Sequence, residues 1–270
     1  MSITVIIVSY KSDSRINSCL KKIDKKFNKI IIETSKDLKL KNYLEKKFTK
    51  TRVILSNNIG YGSAMNFGAK KANTKYIFMT TPDIILKNNT LENLLRCAKK
   101  LNNNFSFLSP VTKNYNKKSI IEVKTCEGYA IFTERHKFLK MGGWDENFFL
   151  FYEDHDLCIR FNKINKKIFL VPTAKVKHFV GGFYKNDTIN EIDICKNWHY
   201  MWSKFYFNKK HNGAMVGLIT TLPILIRSII KILFYSFFDK NKTRKYLARA
   251  SGLLNAYFNK KSWYRPLIKI

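Results

Sequence analysis

Ile3-Thr4-Val5-Ile6-Ile7-Val8 opens the chain with an unbroken apolar and β-branched run. A run without in-out alternation belongs to a strand covered on both faces, as in a parallel sheet. Ser9-Tyr10-Lys11-Ser12 follows as a loop, and residues 13–23 then place Ile16, Cys19, Leu20 and Ile23 on one helical face. The unit repeats. Lys29-Ile30-Ile31-Ile32-Glu33 reads as a second strand, 36–48 as a helix and 52–55 as a third strand. Residues 60–72 form a third helix, entered through Asn57-Asn58-Ile59-Gly60-Tyr61-Gly62. A fourth strand over 76–79 ends at Thr80-Thr81-Pro82-Asp83, ahead of a helix over 91–101. This alternation predicts an α/β chain with a doubly wound, Rossmann-like, mostly parallel sheet. In such sheets ligands bind beyond the carboxyl ends of the strands. Ser9, Tyr10, Glu33, Asn57, Asn58 and Asp83 all fall there.

Two of these features carry specific chemistry. The glycines at 60 and 62 let the backbone approach a ligand, and the helix start behind them favours a phosphate, although an ordinary helix-entry turn has the same look. The turn lacks G-x-G-x-x-G spacing and is not a dinucleotide fingerprint. Asp83, held behind Pro82, is a candidate ligand for a divalent cation that also takes diphosphate oxygens; its alternative is a turn aspartate.

Beyond residue 105 the alternation loosens. Residues 119–123 and 127–132 read as strands of a smaller mixed extension, and 135–141 as a short helix leading to Gly142-Gly143. The next stretch concentrates acid in a basic chain: Asp145, Glu146, Glu153, Asp154 and Asp156 stand among Trp144, Phe148, Phe149, Phe151 and Tyr152. Carboxylates among aromatics mark a partly dry site, where one of them can serve as a general base. The competing reading is a helix start favoured by acids through its dipole. Residues 153–162 read as that helix, with Asp156 and Arg160 paired four apart. A strand over 168–171, Pro172, His178 and Gly181-Gly182 follow, and His178 is a candidate metal ligand.

With 270 residues, 45% hydrophobic, the chain is globular, and its net charge of +31 calls for an anionic partner. Lysine exceeds arginine and is spread along the sequence, without a compact basic-aromatic motif, and acids at the strand ends would repel a phosphate backbone; nucleic acid is therefore not the expected partner. The five cysteines are widely spaced and have no metal-type pattern, which fits reduced thiols in a cytosolic protein.

Together these residues resemble the inverting family 2 glycosyltransferases of the GT-A fold, rhamnosyltransferase-like members in particular. The resemblance runs through Val5-Ile6-Ile7-Val8-Ser9-Tyr10, Asn58-Ile59-Gly60-Tyr61-Gly62 with Asn66 and Gly68, and Pro82-Asp83. It continues through Gly142-Gly143-Trp144-Asp145-Glu146, Phe149, Glu153-Asp154-His155-Asp156-Leu157 with Arg160, then Pro172 and His178. It covers residues 1–185 and implies a nucleotide-sugar-binding half, 1–100, and an acceptor half, 101–185. It also implies roles. Ser9, Tyr10, Glu33, Asn58, Gly60, Asn66 and Asp83 would bind a UDP- or dTDP-sugar donor. Asp83 and His178 would hold a divalent metal, Mg²⁺ or Mn²⁺. Trp144, Asp145 and Glu153 would shape the site for a glycan or lipid-linked acceptor of cell-surface polysaccharide assembly, and Asp154 would be the base. Glu33 stands where the family usually has aspartate, and Thr81 where rhamnosyltransferase-like members carry Asn. A non-catalytic sugar- or nucleotide-binding module that keeps the fold is the alternative.

Residues 186–270 differ in composition and read as a helical C-terminal region. Residues 214–238 are the longest apolar stretch, interrupted by Pro223, Arg227 and Lys231. Arg227 and Lys231 stand one turn apart, leaving Ile229, Ile230, Leu233 and Phe234 to the other side. This suits a helix in the plane of a membrane interface, a re-entrant pair broken at Pro223, or a buried hairpin or oligomer contact. The basic run 240–245 with Tyr246, Tyr257, Phe258, Trp263 and Tyr264 favours an anionic membrane surface, hence a cytoplasmic enzyme held peripherally on the inner face of the membrane.

Overall fold

The computed structural model describes residues 3–113, 119–164, 167–179 and 186–266. The chain divides into two compact units, Met1–Asp145 with Glu153–Val180, and Glu146–Tyr152 with Gly181–Ile270. The glycine pair Gly181-Gly182 lies outside the described residues.

The first unit is built on a sheet in the order β3-β2-β1-β4-β8-β6-β9-β5, with β7 also paired to β9. Strands β1 (Ile3–Ser9), β2 (Asn28–Glu33), β3 (Thr51–Leu55) and β4 (Tyr76–Thr80) run parallel. Register sets Ser9 beside Glu33 and Glu33 beside Leu55, so the polar strand ends meet along one edge. β8 (Ala130–Glu134) runs antiparallel to β4 and to β6 (Phe107–Val111), while β6 pairs parallel with β9 (Ile168–His178). β5 (Ile84–Leu86) and β7 (Ile121–Val123) are short antiparallel partners of β9.

Alternate residues of the central strands feed two cores. Val5, Ile7, Ile31 and Phe78 join Leu20 of α1 (Asp13–Lys21), Leu44 of α2 (Leu38–Lys47) and Leu94 of α4 (Thr90–Lys100). Ile6, Ile32, Ile77 and Met79 join Met65 of α3 (Tyr61–Lys71), Phe138 of α5 (Arg135–Lys140) and Leu157 of α6 (Glu153–Asn162). Both faces are covered, which is why the strands read as continuous apolar runs. At Gly68 a Cβ would come within 2.4 Å of Ile6 Cγ2, so glycine lets α3 press against β1.

Two features differ from the sequence expectation. Asp83 leads into strand β5 rather than a loop, and β9 continues through Pro172 to His178. The β6–β9 register shifts between Pro110 and Val111, and Val171 is the last partner before the shift. Pro172 falls in that irregularity, where no ladder hydrogen bond is asked of it.

The second unit contains α7 (Asn186–Asn212), α8 (Ala214–Tyr235) and α9 (Lys240–Tyr257) around Trp198, Met201, Trp202, Phe205 and Leu253. Gly252 of α9 lies against α7 so closely that a Cβ would meet Trp198 O at 2.3 Å. Segment 146–152, which the sequence places within the sheet-bearing region, packs here through its aromatics. Phe148 stands edge-on to Tyr206 at 4.9 Å between centroids, Phe149 stacks on His199 at 4.3 Å, and Tyr152 meets Phe207 at 5.2 Å.

Candidate active site

At the end of β4, Asp83 comes together with His178 at the end of β9. Ile84 pairs with His178 in the β5–β9 ladder, and Phe179 N–H donates to the Asp83 carbonyl at 2.9 Å. This places His178 Nε2 3.2 Å from Asp83 Oδ2. Thr81 donates its hydroxyl to the other carboxylate oxygen, Asp83 Oδ1, at 2.5 Å, so the threonine props the acid. Arg15 Nη1 lies 4.0 Å from Asp83 Oδ2 and donates to the Phe179 carbonyl at 3.3 Å. The sequence reading missed Arg15, because nothing local on α1 signals a neighbour so distant in the chain. Among the described residues no group of three or more His, Cys, Asp or Glu gathers as a metal cluster. Asp83 and His178 offer a pair. Neighbouring ligands around a small cation bonded at about 2.1 Å stand roughly 3 Å apart, which this pair matches.

Asp154 and Glu153 open α6, behind Phe151 and Tyr152, whose φ angles of 70° and 66° put both bulky residues in the left-handed region. Such backbone costs about 1–3 kcal/mol per residue and is held only where the surroundings determine it. The two carboxyls differ sharply. Glu153 is buried and its Oε2 has no hydrogen-bond partner among the described residues. Burial, with the Asp154 charge second, pushes its pKa up to about 8. Burial acts on Asp154 in the same direction, but hydrogen bonds from the His155 ring and from the backbone N–H of Gly128 and His155 outweigh it and hold the pKa below the usual value. At neutral pH Glu153 is therefore an acid and Asp154 a carboxylate.

Two tyrosines that the sequence did not single out for the site link the two clusters. Tyr61, first in α3, donates its hydroxyl to the Gly128 carbonyl at 2.6 Å. Burial, followed by the charges of Glu153, Asp154 and Asp83, pushes its phenol well above the usual range, so all three acids lie in its field. Tyr129 packs on His178 with ring centroids 4.4 Å apart. It also lines a cavity of about 290 Å³ shared with Asp154, His155, Glu127 and Thr112.

Other candidates take different parts. Trp144 is 1% exposed; its indole N–H points to Met79 Sδ at 3.4 Å and its Cβ stands where a side chain on Gly62 would clash. It is a buried core wall packed against α3. Asn66 donates its amide to the Trp144 carbonyl and accepts from the Trp144 N–H, both at 2.9 Å, and so clamps that wall. Glu33 is fully buried, and its oxygens accept from Ser35 N at 3.1 Å and Asp37 N at 2.8 Å. It shapes the loop after β2 from within. Ser9 is buried, its hydroxyl without a partner among the described residues, and Tyr10, Asn58 and Asp145 are half-buried. Gly60 has φ +95°, the conformation only glycine takes freely at the start of α3. Asp156 is fully buried and accepts from Arg160 Nε at 2.8 Å; Arg160 also donates to the Gly143 carbonyl at 2.6 Å. That pair fixes the Gly142-Gly143 turn, as its i,i+4 spacing predicted.

The chain is 22% identical to the rhamnosyltransferase WbbL of Escherichia coli (strain K12), over 76% of this chain and 92% of that protein. Its fold is similar to that of the mannosyltransferase PcManGT from Pyrobaculum calidifontis in complex with GDP-Man and Mn²⁺, with TM-score 0.59 and 12% identity over 96% of this chain and 88% of that one. It is also similar to GalNAc-T7 with UDP, GalNAc and Mn²⁺, with TM-score 0.58 and 14% identity over 77% of this chain and 50% of that one. The family model Glycosyl transferase family 2 matches residues 4–169, and the chain belongs to that family, as a glycosyltransferase of the GT-A fold.

Proposed function

We propose that the chain moves a sugar from a nucleoside-diphosphate donor to an acceptor hydroxyl with inversion, in assembly of a surface polysaccharide on a glycan or lipid-linked acceptor. Residues 1–100 form the donor half and 101–185 the acceptor half. The observation that supports this most is that Asp154 lines a cavity whose Tyr129 wall also packs on His178, the neighbour of Asp83. Asp154 takes the proton from the acceptor hydroxyl. The freed oxygen pair forms the new bond to the anomeric carbon from the face opposite the diphosphate. The bond from that carbon to the diphosphate oxygen breaks, and its electron pair leaves with the nucleoside diphosphate. Neutral Glu153 adds no second negative charge beside the base. A divalent cation held by Asp83 and His178 supplies charge neutralisation of the leaving diphosphate when bound. Arg15, beside Asp83, adds a fixed positive charge on the same side. Two fold neighbours are in complex with a nucleotide or nucleotide sugar together with Mn²⁺, which favours a donor and a metal of this kind here.

The test is thermal unfolding of the full chain with UDP-, dTDP- and GDP-sugars in the presence of Mn²⁺ or Mg²⁺. A donor at one hundred times its Kd stabilises by about 2.7 kcal/mol, a shift of several degrees. We expect at least one donor to do so and Asp83→Asn to remove the metal-dependent part. No stabilisation by any donor, or an unchanged shift in Asp83→Asn, contradicts the reading.

A further inference from the structure

Helix α8 is built inside out. The side it turns to α7 and α9 carries Gly217, Thr221, Leu225 and Ser228, all buried. Gly217 lets the helix approach Phe205, where a Cβ would stand at 3.0 Å, and Thr221 shares a 2.9 Å hydrogen bond with the Tyr257 hydroxyl. The opposite side carries Met215, Ile219, Leu222, Ile226, Ile230 and Leu233, each between 46% and 68% exposed. At about 100° per residue these six fall on one face. Arg227 and Lys231 sit together on one flank of it, and Lys231 is drawn to Tyr246 by a 2.9 Å hydrogen bond. Phe237 and Phe238, in the turn after α8, are 83% and 76% exposed. A soluble helix turns its apolar side inward; this one spends small and hydroxyl residues on its protein contacts and presents its large aliphatics outward.

The surroundings say what covers that face. After Asp193 the only acid in the chain is Asp239, and it is engaged as the cap of α9, accepting from Lys242 N at 2.9 Å. Lys240, Lys242, Arg244 and Lys245 cluster at the same helix start; Arg244 pairs with Glu191 and Lys245 with Asp193 of α7, and Lys242 also reaches Asp239, so the cluster keeps an excess of positive charge. We infer that the outward face of α8, with Phe237 and Phe238, docks in the plane of an anionic lipid bilayer, the aliphatics entering the acyl boundary and the flanking cations meeting lipid phosphates. A second copy of the chain is a poorer occupant, because pairing these faces brings like cations together. α8 is long and apolar enough to cross a membrane. Crossing, however, would carry Arg227 to mid-bilayer at about 2.5–3.5 kcal/mol and strip α7 and α9 from the small-residue side. The in-plane pose avoids both. This inference is independent of the catalytic reading.

The purified full chain is mixed with preformed vesicles of phosphatidylcholine, with and without phosphatidylglycerol, and the bound fraction is read by flotation. Binding to the anionic vesicles is expected. Ile226→Glu combined with Ile230→Glu should lower the bound fraction about tenfold or more while leaving the melting temperature and the donor-induced thermal shift unchanged. Leu38→Glu, an exposed site on α2, should bind as the unmodified chain does. The proposal is overturned if the chain ignores both vesicle types or if the double variant floats as well as the parent. It is equally overturned if the face proves to hold a solution dimer that the double variant splits.

Discussion

The sheet-bearing unit and the helical unit solve opposite problems. The first surrounds charge with protein: Glu33, Glu153 and Asp156 are buried at the rim of apolar cores, two satisfied by the chain itself and one left protonated. The second keeps an apolar core on α7 and α9, yet its α8 turns small and hydroxyl residues inward and leaves large aliphatics exposed. The difference teaches that burial is not a proxy for hydrophobicity here. In the first unit buried acids hold a loop, a turn and the start of α6, and in the second the large aliphatics of α8 stay exposed.

Breaking the buried charge pair should have the largest effect on stability. Arg160→Met leaves Asp156 uncompensated and frees the Gly143 carbonyl; a loss of about 3 kcal/mol is expected in denaturant unfolding. The equivalent break in the helical unit is steric. Gly252→Ala drives a methyl into Trp198 O and should cost about 1–3 kcal/mol, read as a lower melting temperature. Next comes a pH effect. Glu153 has an ordinary pKa of 4.5 and a folded one of about 8, so between those values the folded chain holds a proton that the unfolded chain has released. Stability therefore falls as pH rises through that window and levels off above it. Glu153→Gln should flatten this slope, and an unchanged slope in unfolding measured from pH 5 to 8 would remove Glu153 as its source. The smallest effect sharpens the contrast from the other side. Ile226→Glu, an apolar-to-charged change on the outward face of α8, should move the unfolding free energy by no more than about 0.5 kcal/mol.

Much of the sheet was legible because β1 to β4 are covered on both faces and so carry long apolar runs at regular spacing. The Asp156–Arg160 pair was legible because i,i+4 spacing is local. Pairings distant in sequence were not. Nothing near Arg15 announces Asp83, and nothing in 84–86 announces a strand until β9 exists to pair with it. Trp144 and Asn66 carry the residue types of a binding site, yet their hydrogen bonds and burial make them its scaffold. The segment 146–152 stands beside the acids in sequence, but its aromatics find partners on α7. For α8 the sequence showed Arg227 and Lys231 sharing a flank, whereas periodicity alone did not say which side turns inward.

The central claim is that Asp154, not its neighbour, is the base. Transfer by Asp154→Asn and by Glu153→Gln, measured side by side with the donor that stabilises the chain, tests it most directly. Asp154→Asn should keep the donor-induced thermal shift and lose about 10²–10⁴-fold in kcat, the range a general base supplies. Glu153→Gln, which copies the shape of the protonated acid, should retain most of the rate. Near-normal turnover in Asp154→Asn, or collapse in Glu153→Gln with Asp154→Asn active, would contradict the account.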